Sequence, residues 1–559
     1  MGALEHLAGA SKKVLKRHRK DGVPPRKSPW RKSLGVALGL VLFALCLAVG
    51  TSMFIRHANR SSALARLPEL PDLTRNTKAL REKVISADRA VRETLQKRGP
   101  NEQFGQGAGE LGRLYQGNYF YDQALLCYRL GIELDPKNPL WPYLLASVLQ
   151  ERGENESARG LLTRTIDLAP NYSPAMLKLA DGYFKTGHTE KAKAHYERRL
   201  KLSPGDPYAL LGLGRIALEK SEWENARAYL ERAIQANPGF GDAYRMLATV
   251  HEHSGRLEEM KLAIERAAHS PPFRPAPDPW IDALADLCYE TEQLLVLGSK
   301  AITRGEMDAA LNKFYRRAME LDPKNPKVHL AMGKAMLMIG QFKDARDFFQ
   351  KTIELDPKSD EAFFQLGVVF QIEKKQDEAE RMFLRALDLQ ANNANIYNNL
   401  GVALLEQKRY EEAIKFLTQA LDIDPEHMSA RYNLGMSFWA VGRSRDAIQQ
   451  YRHVLRLKPE WATAASSLAW ILATDKSKEN RNGIEAVRWA LVACAGEGGN
   501  NPEYLDTLAA AYAEAGDFEK AVKTAEESLN LAQARGDRAL SKDVLQRLQL
   551  YRSAKPFRH

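Results

Sequence analysis

The chain has 559 residues, 44% of them apolar and 27% charged, which is the composition of a folded protein and more chain than one ordinary core absorbs. The net charge of +11 would fit a nucleic-acid binder, but ten Lys/Arg against Glu5 and Asp21 put +8 of it in residues 1–32 and leave +3 for residues 33–559. Nothing favours a nucleic-acid groove in the body, and Cys46, Cys127, Cys288 and Cys494 form no C-x-x-C pair that would indicate zinc, redox or haem chemistry; they read as small buried hydrophobes.

Residues 1–32 are a basic leader, expected on the cytoplasmic side. Residues 33–55, SLGVALGLVLFALCLAVGTSMFI, carry no charge between Lys32 and Arg56. As a helix this stretch is about 34 Å long at ~1.5 Å per residue, enough for a hydrocarbon core of ~30 Å. A secretory signal has a shorter apolar region, about 7–15 residues. Leu45 before Cys46 argues against a lipoprotein cleavage, and His6 stands where myristoylation prefers Ser or Thr. A single uncleaved transmembrane helix is expected. Ten Lys/Arg precede it, and Arg56, Arg60, Arg66 and Arg75 follow, so the positive-inside rule puts the N-terminus in the cytoplasm and the body outside it.

Residues 56–101 are a stalk and linker helix. Pro68 and Pro71 in LPELPD predict an extended stalk. Residues 76–97 have a helical stripe of Leu80, Val84, Ala87, Val91 and Leu95, which would pack on the first repeat.

From residue 102 a period of 34 residues sets in. Prolines recur at Pro136, Pro170, Pro204, Pro238 and Pro272, and again at Pro323, Pro357, Pro425 and Pro459, with Ala391 the one lapse. Twelve residues before them stand Ala124, Ala158, Ala192, Ala226, Ala345, Ala379, Ala413 and Ala447; twenty-four before, Gly or Ala, as at Gly112, Gly214, Gly333, Gly367, Gly401 and Gly435. Each period reads as two antiparallel helices brought close by small residues. Aromatics such as Tyr128, Tyr196, Phe349, Phe383 and Tyr451 fill the seam, and proline stops the second helix. One pair cannot bury its own apolar face, so neighbours must stack.

This spacing resembles the tetratricopeptide repeat (TPR) family, most closely in YNNLGVALLEQKRYEEAIKFLTQALDIDP at 397–425. The resemblance implies an all-α, right-handed superhelical solenoid of helix-turn-helix repeats behind the N-terminal transmembrane helix. The two proline series are out of phase, because Pro272 to Pro323 is 51 residues. The chain therefore divides into an N-terminal block at 102–272, a Pro-rich break with an extra helix at 273–290, a C-terminal block at 291–534, and a capping helix with a tail at 535–559. In the cap, Leu540, Val544, Leu548 and Tyr551 form one face, while Lys542, Asp543, Arg547 and Arg552 are expected elsewhere. The run from SSLAWILAT to LYRSAKPFRH resembles the end of many bacterial repeat proteins.

No catalytic, cofactor-binding or metal motif emerges. FGQGAGELG at 104–112 follows no strand and has no Lys, so it reads as the entry to the first helix, not a phosphate loop. HEHS at 251–254 has His at i and i+2, whose side chains diverge on a helix and read as solvated. Repeats and cap leave no stretch for a catalytic domain, so an enzyme with regulatory repeats ranks last.

In the family the concave wall comes from the first helix of each pair. That register brings Gln365, Asn399, Asn433 and Ser467 to one position of four consecutive repeats, with Asn398, Tyr432, Met436 and Trp439 beside them. Gln365, Asn398, Asn399, Tyr432, Asn433 and Trp439 are the candidate partner-binding residues, the amides for a peptide backbone and the aromatics as anchors. The chaperone-docking subclass clamps a peptide carboxylate; its candidates here, Lys334, Arg215 and Arg245, fall in separated repeats. The leading expectation is a membrane-anchored scaffold that binds proteins or peptides, extracytoplasmic (periplasmic if bacterial), in assembly or maintenance of an envelope complex. The alternative is a eukaryotic organelle receptor or chaperone-docking protein facing the cytosol.

Overall fold

The computed structural model describes residues 62–96, 100–271, 273–495 and 500–559. The basic leader and the apolar stretch 33–55 lie outside the described residues. Among these no helix is long and apolar enough to cross a membrane. The described chain is helical with no strand, and it divides between Tyr289 and Glu290 into two compact units.

In the first unit, helix Lys78–Gln96 lays Leu80 and Val84 on the first repeat, both fully buried. Residues 62–75, expected as an extended stalk, instead lie against the unit. Ala63, Leu67 and Leu73 are buried, Arg66 makes a two-pronged bond to Glu133 (2.6 and 2.9 Å), and Arg92 donates to the Pro68 carbonyl at 2.7 Å. The apolar side chains between the prolines find a core to enter, which the composition of the stretch did not reveal.

Five helix pairs follow, from Asn101–Gly117 with Tyr121–Leu134 to Gly241–His253 with Leu257–His269. The small-residue positions do what the period implies. Ala124, Ala158, Ala192 and Ala226 are wholly buried. The glycines of 104–112 lie within the first helix and not at its entry: a Cβ at Gly109 would come within 2.5 Å of the Trp141 ring. His251 is buried, not solvated, while His253 stacks on Trp223 at 3.8 Å.

The Pro-rich segment expected as a break is part of this unit. After Leu257–His269 it turns back along the first helices of the pairs. Ala276 packs beside Leu177 and Leu213, a short helix Pro279–Asp282 passes Tyr143 and Tyr172, and a 3-10 turn, Ala283–Leu287, takes the place of the expected extra helix. The Leu287 carbonyl accepts from the Asn118 side chain, whose oxygen accepts the Tyr289 N–H (2.7 and 2.8 Å), and Thr77 donates to the Tyr289 carbonyl at 2.7 Å.

The second unit has seven pairs, from Thr291–Thr303 to Phe518–Ala534, and ends in helix Arg538–Arg552. Its first pair carries an irregularity. The 34-residue register falls on Ser299 and Leu311, neither of them Gly or Ala, yet the close contact is made by Gly298 and Ala310. Ala310 and the seam residue Tyr315 are five residues apart, where Ala345 and Phe349 are four. A π-turn, Ala309–Tyr315, absorbs the extra residue and returns Tyr315 to the seam. The later pairs are regular. Gly401 marks a close approach of one such pair, where a Cβ would stand 2.6 Å from the Leu417 side chain.

Helix Arg538–Arg552 buries Val544, Leu548 and Tyr551 over the last pair, as a cap should. Arg547, expected on the polar side, is buried too. Its guanidinium grips Asp506 of helix Pro502–Glu514 at 2.8 and 3.0 Å, because a carboxylate closed off by the cap needs a counter-charge.

Candidate functional site

Each pair turns one face of its second helix into the seam and leaves a face of its first helix free. In the first unit that face is filled by residues 273–289. Asp278 sits at the centre of the filling, buried, accepting from the Tyr143 hydroxyl, from the Tyr172 hydroxyl at 2.7 Å and from Lys178 at 2.9 Å. Trp280 stacks on Tyr172 at 3.6 Å.

In the second unit a cavity of about 860 Å³ stays open along the same face. Tyr432, Met436 and Trp439 come from helix Met428–Ala440, Ser467 and Trp470 from Ala462–Thr474, Glu503 and Asp506 from Pro502–Glu514, and Asp543 and Arg547 from the cap. Glu406, Glu503, Asp506 and Asp543 outnumber Lys408 and Arg547, so the groove is acidic with an aromatic wall. Burial pushes the Asp506 carboxyl up to about 6 against the opposing pull of Arg547, with Asp543 and Glu503 adding to the rise. Burial likewise raises the Tyr432 hydroxyl, which meets Ser467 at 3.4 Å.

Residues 553–559 cover part of this groove. The Phe557 ring faces Trp470 (6.0 Å between centroids) beneath the Arg547 guanidinium at 5.4 Å. Arg558 pairs with Glu514 at 2.7 Å and donates to the Ala473 carbonyl at 3.3 Å. The His559 N–H donates to the Thr474 carbonyl at 2.8 Å, and its ring stacks on Trp439 at 5.4 Å.

Of the residues read from the sequence, Tyr432 and Trp439 line the cavity. Gln365, Asn398, Asn399 and Asn433 lie outside its lining. Gln365 donates to Glu361 of its own helix at 2.8 Å, Asn399 is half-buried, and Asn433 donates to the buried Asn398 at 2.9 Å. That bond joins residues 35 apart, as does Tyr432 with Ser467. Neighbouring first helices therefore meet on a diagonal, one residue beyond the period, not as a ladder of equivalent positions.

Trp470, Asp506, Arg547, Phe557 and His559 were not read from the sequence as site residues. Trp470 holds the register position of Met436 and was open to the same counting. Asp506 was obscured because first helices Ala462–Thr474 and Pro502–Glu514 begin 40 residues apart. The clamp candidates are engaged: Lys334 with Glu361 (3.1 Å), Arg215 with Asp181 (2.6 Å), and Arg245 with Asp242. A second cavity, about 790 Å³, lies against the second helices Ser444–Leu457 and Gly483–Ala493 and holds Arg431, Arg452, Arg456 and Arg488.

Tetratricopeptide repeat signatures match residues 177–239, 217–275, 301–366, 392–460 and 505–539. With the repeat geometry above, the chain belongs to the tetratricopeptide repeat family. No curated protein matches it. Among solved structures it is similar to pilF of Pseudomonas aeruginosa, 25% identical over 40% of this chain and 98% of that one, TM-score 0.34. It is also similar to MamA, 25% identical over 31% and 94%, TM-score 0.28. YrrB, described as a TPR protein with an unusual peptide-binding site, is 18% identical over 42% and 97%, TM-score 0.27.

Proposed function

We propose that this protein, a tetratricopeptide scaffold for protein–protein interaction, captures a partner's extended segment in the acidic, aromatic groove of its second unit. The observation that carries this is the difference between two faces of one architecture, filled in the first unit and open in the second. Tyr432, Trp439 and Trp470 supply rigid apolar area, and the surrounding carboxylates favour a basic partner. Gln365, Asn398, Asn399 and Asn433 extend the polar wall over earlier repeats. The scaffold carries out no catalysis in this reading. The uncharged stretch 33–55 anchors it, with the basic leader in the cytoplasm and the repeats on the far side, where it helps assemble or maintain an envelope complex of a bacterial type. The chaperone-docking alternative gains no support, since Lys334, Arg215 and Arg245 each already hold a carboxylate.

The test is capture by the full chain from its native membrane. Trp470→Ala and Tyr432→Ala should each cut recovery of the specific partners about ten-fold or more while the melting temperature holds. Undiminished capture by the folded variants overturns the groove. A reporter fused after residue 559 should be active outside the cytoplasm; cytoplasmic activity refutes the orientation and leaves the groove standing.

A further inference from the structure

Residues 553–559 supply none of the buried residues of the cap, and Phe557 packs only against the edge of its core. Val544, Leu548 and Tyr551 fix the helix, whereas Phe557 and Arg558 are half-buried and Lys555 and His559 exposed. The helix closes before them: Ser553 and Lys555 donate to the Leu550 carbonyl, and Ala554 takes a left-handed φ of 50°. The cap is therefore complete without the segment.

What the segment touches is specific to it. Helix Ala462–Thr474 ends in carbonyls with no partner further along the helix, and a loop leads from there to Gly483. Arg558 and the His559 N–H occupy the carbonyls of Ala473 and Thr474, and a cation at a helix C-terminus is favoured by its dipole. Glu514 is shared between Arg558 and Arg481 of that loop. Phe557 meets Trp470, and the ring one position past the Arg meets Trp439. These contacts read one short extended sequence: an aromatic, an Arg, then a ring.

The same triplet occurs elsewhere in the chain. Pro556-Phe557-Arg558 has counterparts in Pro272-Phe273-Arg274 and Pro29-Trp30-Arg31. In the first unit Phe273 stacks on Phe240 at 6.0 Å, and the Arg274 carbonyl accepts from Tyr208 at 3.0 Å. In both units, then, the segment after the repeats brings an aromatic–Arg pair against aromatic side chains of its own unit.

We infer that the groove of the second unit recognises a Pro–aromatic–Arg segment, and that residues 556–559 are a resident copy of that ligand, displaced when a partner segment of the same chemistry arrives. This rests on the groove reading above and names its partner class. Basic charge on the segment complements Glu514 and the acidic groove, and the tether keeps the resident copy at an effective concentration of ~1 mM. A free peptide that binds the empty groove about ten-fold below that concentration then binds the intact chain about ten-fold more weakly.

The experiment uses the full chain and a fluorescently labelled SAKPFRH peptide, read by anisotropy. Phe557→Ala with Arg558→Gln, which vacates the groove, should bind the probe about ten-fold tighter than the unaltered chain. Trp470→Ala added to that variant should weaken binding at least ten-fold. Unlabelled RKSPWRK, residues 26–32, should compete, and SAKPARH should not. A vacated chain that keeps its helicity yet binds no probe, or that binds SAKPARH equally well, overturns the proposal: the segment is then a fixed piece of the fold. Should the double variant fold poorly, Arg558→Gln alone and the unaltered chain at high probe concentration decide it. Saturable binding lost with Trp470→Ala supports the displaceable copy, and no binding refutes it. Partner capture that depends on Trp470 without any probe binding sinks this inference and spares the groove; loss of both dependences sinks the two together.

Discussion

The first unit and the second carry the same repeat and finish it differently. In the first, residues 273–289 run the length of the inner face and bury a carboxylate, Asp278, under two tyrosine hydroxyls and a lysine. In the second, residues 553–559 cover only one end and leave about 860 Å³ open. A solenoid wall is thus not a binding site merely by being a solenoid wall. It becomes one where aromatic and charged side chains line a groove that the chain's own segments leave partly open.

Four measurements test this contrast. The largest effect is expected at Asp278→Ala, which strips the shared acceptor from Tyr143, Tyr172 and Lys178. A buried charged partner of this kind is worth about 3–5 kcal/mol, so denaturant unfolding of the first unit should lose most of that. Arg558→Gln, the matching cut in the second unit, breaks a partly exposed pair and should cost about 1 kcal/mol or less. Equal losses would erase the distinction between structural filling and resident ligand.

The next is a pH dependence carried by Asp506 of the second unit. Burial raises the Asp506 carboxyl to about 6 from its ordinary 3.8, so the folded state holds that proton more tightly than the unfolded chain does. Stability contributed by this group therefore rises as pH falls from about 6 towards 4, by up to roughly 2–3 kcal/mol, and is flat above 6. Asp506→Asn should remove this rise from the profile of denaturation midpoint against pH. A profile that falls with acid only where Asp506 is present would mean that Arg547 dominates the site.

Third, Trp470→Ala should cost about 2 kcal/mol of partner binding, about thirty-fold, with little change in melting temperature. Trp280→Ala, its counterpart in the filled face, should lower the melting temperature of the first unit instead. The opposite assignment would reverse which face is open to partners. Smallest is deletion of Asn312 from the π-turn, which restores the four-residue spacing of Ala345 and Phe349. Stability should stay within about 1 kcal/mol of the parent or rise. A large loss would show that the extra residue is needed where it stands.

The helices and their pairing were legible because they rest on local periodicity. Ala413 and Gly401 predict a close contact from spacing alone, and a Cβ at Gly401 would indeed strike Leu417. Tyr432 and Trp439 could be counted onto the inner face in the same way, and Trp470 lay within reach of the same count. Asp506 and Arg547 did not. They are 41 residues apart, separated by a repeat of irregular length, and Arg547 lies on the stripe that hydropathy assigns to solvent.

The sequence by itself determined the repeat, its length, the helix boundaries marked by proline and the small residues of each seam, because those depend on neighbours within one period. Only the tertiary structure decided which stretches without periodicity come to rest on the inner faces. The bonds that place them join Asn118 to Leu287 and Tyr143 to Asp278, residues 169 and 135 apart, and Phe557 to Trp470 across the last repeats. No local pattern encodes such contacts. They form because an aromatic face, an uncapped carbonyl or a buried hydroxyl left by one part of the chain is satisfied by a distant part that has no repeat of its own to join.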